Sequence, residues 1–98
     1  MKLNKAITCA DGFEMSVQAH SGGYCTPRID NAERYTAVEV GFPSQIEELL
    51  LDFAEDAGNP TETVYAWVPS TTVSLVIAKH GGIVSGELPP GIPFLKAT

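Results

Sequence analysis

Both arginines of this chain, Arg28 and Arg34, fall in one polar stretch that runs from His20 through Ser21, Gly22, Gly23, Tyr24, Cys25, Thr26, Pro27, Arg28 and Ile29 to Arg34. A guanidinium offers a planar fork of donors that matches phosphate oxygens, and a tyrosine ring gives a base something to stack on. Gly22 and Gly23 let the backbone approach a ligand closely, and Pro27 fixes the chain just before Arg28, lowering the entropy lost on engagement. Such a set suits a nucleotide, with His20, Tyr24, Thr26, Arg28 and Arg34 as its expected ligand-binding residues. A second assignment pairs Arg28 and Arg34 with Asp30, Glu33 or the acids downstream, the commoner fate of a surface arginine. The residues alone leave both open.

Signs of catalysis are poor. The chain has no HExxH, GxSxG, GxxxxGK[ST] or GxGxxG pattern, and Ser21-Gly22-Gly23 is too common a run to count as a phosphate cradle. Cys25 would need His20 or His80 beside it to become a nucleophile. Two cysteines and two histidines at scattered spacings make a weak metal set, and Cys9 reads as a small core residue. The chain is therefore expected to be a binder without catalytic residues, metal or cofactor.

The elements that must position this loop follow from local patterns. Asp11-Gly12 reads as a tight primed hairpin turn between an extended Lys2–Cys9 run and a strand with Phe13, Met15, Val17 and Ala19 facing inward. After the loop, Val38, Val40 and Phe42 alternate toward the core, with Glu39 outside. Pro43-Ser44-Gln45-Ile46-Glu47 offers a capping box for a helix whose apolar stripe is Ile46, Leu49, Leu50 and Phe53. Glu47, Glu48, Asp52, Glu55 and Asp56 take its outer surface, and Gly58-Asn59-Pro60 ends it.

Val64–Val68 is a strand with apolar residues on both faces: Val64, Ala66 and Val68 on one, Tyr65 and Trp67 on the other. Either it is central and covered twice, or Tyr65 and Trp67 form a patch that meets a second subunit or a ligand; two helices are few for covering both faces, which favours the patch. A last helix opens at Pro69-Ser70, buries Val73, Val76 and Ile77, carries Lys79 and His80 in its final turn, and stops at Gly81-Gly82. His80 reads there as a helix-end residue. Residues 83–98 mix prolines with large apolar side chains and are expected to form an extended arm that packs on its own domain or crosses to a neighbour. The expected fold is a single α+β domain over residues 1–98, with a mainly antiparallel sheet of about four strands and two helices.

A length of 98 residues allows one core, and domains this small often pair with copies of themselves, so a homo-oligomer is expected. Twelve acidic residues against six basic ones give a net charge of −6, which disfavours direct nucleic-acid binding. No long apolar run follows Met1-Lys2-Leu3-Asn4-Lys5, so neither a secretory signal nor a membrane span is expected and the cytoplasm is the expected compartment.

The stretches Gly12–Gln18, Tyr24–Arg28, Tyr35–Ser44 and Thr63–Pro69 resemble small proteins encoded by phages and prophages, and are most similar to the Thoeris anti-defence family. That resemblance implies an oligomeric sponge that sequesters cyclic ADP-ribose-type signals or related cyclic nucleotides in the host cytoplasm. It also implies Arg28 as phosphate clamp, Tyr24 or another aromatic as adenine stack, and sites where subunits meet. From Gln45 onward there is no arginine, so a second clamp expected there falls to Lys79, His80 or Arg34. The rival function is an anti-CRISPR-like inhibitor whose acidic face, Glu47 to Asp56, occupies a basic groove of a host defence protein.

Overall fold

A computed structural model describes residues 2–98. Strands β1 (Ile7–Cys9) and β2 (Glu14–Gln18) pair antiparallel, with Ile7 opposite Met15. The turn between them is longer than expected. Cys9 N–H donates to Phe13 O at 2.8 Å and Gly12 N–H to Cys9 O at 2.9 Å, and only Gly12, with φ of 92°, takes the left-handed region. This is a three-residue turn closed by a glycine bulge rather than a two-residue primed turn. Asp11 favours it by accepting the Phe13 N–H on its own side chain at 3.0 Å.

Strands β3 (Ala37–Gly41) and β4 (Val64–Pro69) extend the sheet on one side, and β5 (Ile83–Ser85) pairs with β1 on the other. The result is one antiparallel sheet of five strands, in the order β4-β3-β2-β1-β5, with two helices: an α+β fold. The strand beyond the expected four comes from the segment read as an arm. Gly86, at φ 117°, ends it where any Cβ would lie 2.4 Å from Ala6 O, so only glycine lets the chain turn off against β1. The rest of residues 83–98 folds back on the same chain: Tyr35 N–H donates to Pro90 O at 2.9 Å, and Ile92 is buried.

One sheet face carries the core. Ile7, Cys9, Met15, Val17, Val38, Val40, Tyr65 and Val68 bury there beneath helix α1 (Ser70–Lys79), which presents Val73, Val76 and Ile77 as its spacing predicts. No helix among the described residues is long and apolar enough to cross a membrane. Both sheet edges are covered, β4 by Ala54 and Glu55 and β5 by Leu95 and Ala97, which removes unpaired edges as templates for association.

The expected first helix is a 3-10 helix of two turns, Glu48–Phe53. Ser44 does not cap it. Its hydroxyl accepts the Glu14 N–H at 2.9 Å and its own N–H donates to Glu14 O at 2.8 Å, tying it to β2. Ala54 must already be extended to bridge Tyr65, so no room remains for a longer α-helix. Of the expected stripe only Leu50 is fully buried; Ile46 and Leu49 are exposed. Phe42, expected in the core, is 58% exposed because its φ of 50° turns the ring outward while Pro43 is buried behind it.

Gly86→Ala should lower the unfolding free energy by about 3 kcal/mol in urea denaturation, whereas Gly12→Ala, whose Cβ meets open space, should cost about 1 kcal/mol.

Candidate functional site

Two polar constellations stand out, one buried and one exposed. The buried one centres on His80, which caps the C-terminus of α1. It lies on the same helical stripe as Val73, Val76 and Ile77, three residues beyond Ile77, and its ring stacks on Phe13 at 4.1 Å with planes 12° apart. Nδ1 meets Asp11 Oδ2 at 2.6 Å and Nε2 meets Glu47 Oε1 at 2.6 Å. Glu47, only 1% exposed, also accepts from Lys79 Nζ at 2.8 Å and from Leu49 N–H at 3.0 Å through Oε2.

Charge is balanced across this group. Burial alone would lower the His80 pKa, but the hydrogen bonds that its ring donates to Glu47 and Asp11 and the charges of those carboxylates outweigh it and raise the value. Burial alone would raise that of Glu47, yet Lys79, the Leu49 N–H and His80 together hold it below the usual range. Asp11 is held low chiefly by the Phe13 N–H and then by His80. An imidazole with a carboxylate on each nitrogen has no lone pair free to take a proton, so this is a structural knot rather than a general base.

One expectation is extended and one corrected here. His80 is the helix-end residue expected and holds two carboxylates besides, whereas Glu47 does not belong to an exposed acidic face; that face keeps Glu48, Asp52, Glu55 and Asp56. The helical spacing from Val73 to His80 carried the signal for the first. Nothing local announces that Glu47 faces inward, because its partners are 32 and 33 residues away.

The exposed constellation is built by the loop that holds the arginines. The loop is tied down at many points: Ser21 N–H donates to Asp30 Oδ1 at 2.9 Å, and Thr26 pairs with Ala37 across a bridge. Buried Tyr35 accepts from Ala32 N–H at 3.2 Å and donates to Ile29 O at 2.7 Å. Cys25 is buried, with Sγ donating to the carbonyls of His20 and Pro27 at 3.2 and 3.4 Å, so it faces the His20 carbonyl and not its ring.

Against this loop stands Trp67. The register runs from Val38 opposite Val68 to Val40 opposite Tyr65, so Ala66 and Trp67 together oppose the single residue Glu39 in a β-bulge. The bulge breaks the expected alternation. Tyr65 turns into the core, fully buried, with its hydroxyl donating to Pro60 O at 2.5 Å, and so belongs to no exposed patch. Trp67 alone is presented, 47% exposed and at φ 48°. Its N–H donates to Tyr24 O at 3.1 Å, its ring lies 5.0 Å from that of Tyr24 at 41°, and the Arg28 guanidinium lies 5.5 Å from the Tyr24 centroid.

The loop therefore meets the aromatic strand within one chain. Scans against family models, curated proteins and solved structures returned no match.

The structure divides the five expected ligand residues. Tyr24 and Arg28 come together, and Thr26 lies exposed between them, with its backbone engaged by Thr36 and Ala37. His20 instead orders the glycines, its Nδ1 accepting the Gly22 N–H at 3.0 Å, and lines a separate polar cleft of about 370 Å³ with Asn4, Gln18, Asp30 and Asn31. Arg34 packs its stem against Gly91. The ion pairs among the described residues involve Lys79 and His80, not either arginine, so the expected pairing of Arg34 with nearby acids is not made.

Because the His80 pKa is raised on folding, its contribution to stability is full below the unfolded value of about 6.5 and is lost as pH rises through the folded value. Glu47, lowered, contributes above about 4.3 and loses that as pH falls through its folded value. Wild-type unfolding free energy should thus decline as pH rises above about 6.5 toward the raised folded value, and His80→Gln should flatten this decline while costing about 3 kcal/mol at pH 6. A wild-type profile flat over that range in urea denaturation would contradict the charged knot.

Proposed function

We propose that the chain is a non-catalytic binding protein that holds a cyclic nucleotide on the surface formed by Tyr24, Trp67 and Arg28. One observation carries this reading: the single tryptophan of the chain sits half exposed on a bulge at a left-handed φ, beside a tyrosine whose other neighbour is a free guanidinium. A large aromatic at positive φ costs about 1–3 kcal/mol, and such strain persists where the surroundings impose it, commonly at sites of binding. Here the surroundings are the Tyr24 carbonyl and the bulge opposite Glu39.

The chemistry suits the ligand class. Stacking of a base on an exposed ring contributes about 1–3 kcal/mol, and a guanidinium takes phosphate oxygens in a bidentate, charge-assisted pair. Tyr24 and Trp67, 5.0 Å apart and tilted, leave no gap for a base between them, so the base lies on the outer face of Trp67. The loop arrives already bonded to itself and to β3, which reduces the ordering entropy that binding would otherwise cost. Joined to the resemblance to Thoeris anti-defence proteins, the reading becomes a phage sponge that sequesters an immune signal in the host cytoplasm, working as a homo-oligomer.

Calorimetric titration with cyclic ADP-ribose isomers and cyclic di- and trinucleotides should show micromolar or tighter binding to at least one. Arg28→Ala and Trp67→Ala should each weaken it by about 10-fold or more. Heat denaturation of the complex should return the ligand intact. Failure of every probe to bind, or binding indifferent to both substitutions, would sink the proposal.

A further inference from the structure

Resting on that reading, we infer that Glu39 is the specificity-determining residue of the Tyr24–Trp67–Arg28 surface, and that it selects a ligand whose base carries an exocyclic amino group. Val38 and Val40, its neighbours on β3, are fully buried, so Glu39 points to the opposite, outer face of the sheet. The bulge places Ala66 and Trp67 directly across from it. Its Oε1 accepts the Tyr24 N–H at 3.1 Å. The carboxylate is thereby fixed at the Tyr24 backbone, on the strand that faces Trp67.

Its second oxygen is the informative one. No described residue donates a hydrogen bond to Oε2, and no buried side-chain oxygen is left without a partner, so Oε2 opens to solvent. Its cross-strand neighbour on the other side, Gln18, is already engaged with Asn4 and Ser16 and does not compete for it. No cation pairs with Glu39 either.

A half-buried carboxylate oxygen accepts and cannot donate. It attracts an N–H at the edge of a base stacked on Trp67 and repels a carbonyl oxygen there. It also repels phosphate, which orients the ligand: phosphate toward Arg28, amino edge toward Glu39. Adenine carries such an amine, whereas hypoxanthine presents a carbonyl at the same position, with the N1–H beside it as its one donor on that edge. A site that hydrogen-bonds a substrate group discriminates strongly against the analogue lacking it.

The test compares cyclic di-AMP with cyclic di-IMP, read by quenching of the Trp67 fluorescence in the wild-type protein and in Glu39→Gln. The glutamine keeps an oxygen for the Tyr24 N–H and can turn its amide N–H toward a carbonyl. Wild type should bind the adenine ligand about 10-fold or more tightly than the hypoxanthine ligand, and Glu39→Gln should erase or reverse that preference. Equal binding of the two by wild type, or a preference unchanged in Glu39→Gln, overturns the role of Glu39 while leaving the nucleotide surface intact. Failure of wild type to bind either ligand while another of the cyclic nucleotide probes binds overturns this inference alone; failure of every probe, or binding indifferent to both Arg28→Ala and Trp67→Ala, overturns the nucleotide reading and this inference with it.

Discussion

An imidazole gripped at both nitrogens by carboxylates joins three places where the chain changes course. Asp11 belongs to the β1–β2 turn, Glu47 to the start of the 3-10 helix, and His80 to the end of α1. None of these elements is long, and the 3-10 helix buries just one leucine fully. The polar knot ties them together beside the apolar packing of Phe13, Leu50, Val73, Val76 and Ile77. Burying Glu47 unpaired would cost several kcal/mol; with Lys79, His80 and the Leu49 N–H all directed at it, the charge is matched and every acceptor oxygen is used. The Phe13 ring, stacked flat on His80, closes the knot from the core side.

What the knot fixes on one side of the sheet determines what is offered on the other. The 3-10 helix leads into Ala54 and Glu55, which pair with the edge of β4 at Tyr65 and Val64. Tyr65 must then point inward, and Val68 must as well, since both are fully buried. Two inward residues separated by two others cannot be reconciled with a regular strand, whose side chains alternate with period two. The bulge at Ala66 and Trp67, across from Glu39, absorbs the extra residue and turns the indole outward against Tyr24. The exposed aromatic surface is in this sense a consequence of core packing, with the loop from His20 to Arg34 supplying the guanidinium.

The residues show which parts of this were legible. The hairpin, β3, α1 with its stripe of Val73, Val76 and Ile77, and the pairing of Tyr24 with Arg28 all follow from spacing and local chemistry. The α+β class follows with them. Less visible was anything set by partners distant in sequence. Ser44 reads as a helix cap because Glu47 stands three residues on, but Glu14 in β2 claims it. Glu47 reads as a surface acid because it falls off the apolar stripe of Ile46, Leu49, Leu50 and Phe53, and its partners lie on another helix. Tyr65 and Trp67 read as one face because periodicity assumes a regular strand, and a bulge leaves no mark in the pattern. Gly86 did mark the end of a strand, yet the surrounding prolines made the segment read as an arm.

The central claim is that His80 is a doubly bonded imidazolium at neutral pH. Its ring nitrogens are directly observable in ¹⁵N-labelled protein by two-dimensional NMR across about pH 5 to 9, a range set by the ordinary histidine value of about 6.5. The geometry predicts that both nitrogens keep the shifts of protonated sites above that value. A neutral tautomer of His80 at or below pH 6.5, with one nitrogen showing an unprotonated shift, would contradict the charged knot and the account of how the fold is held.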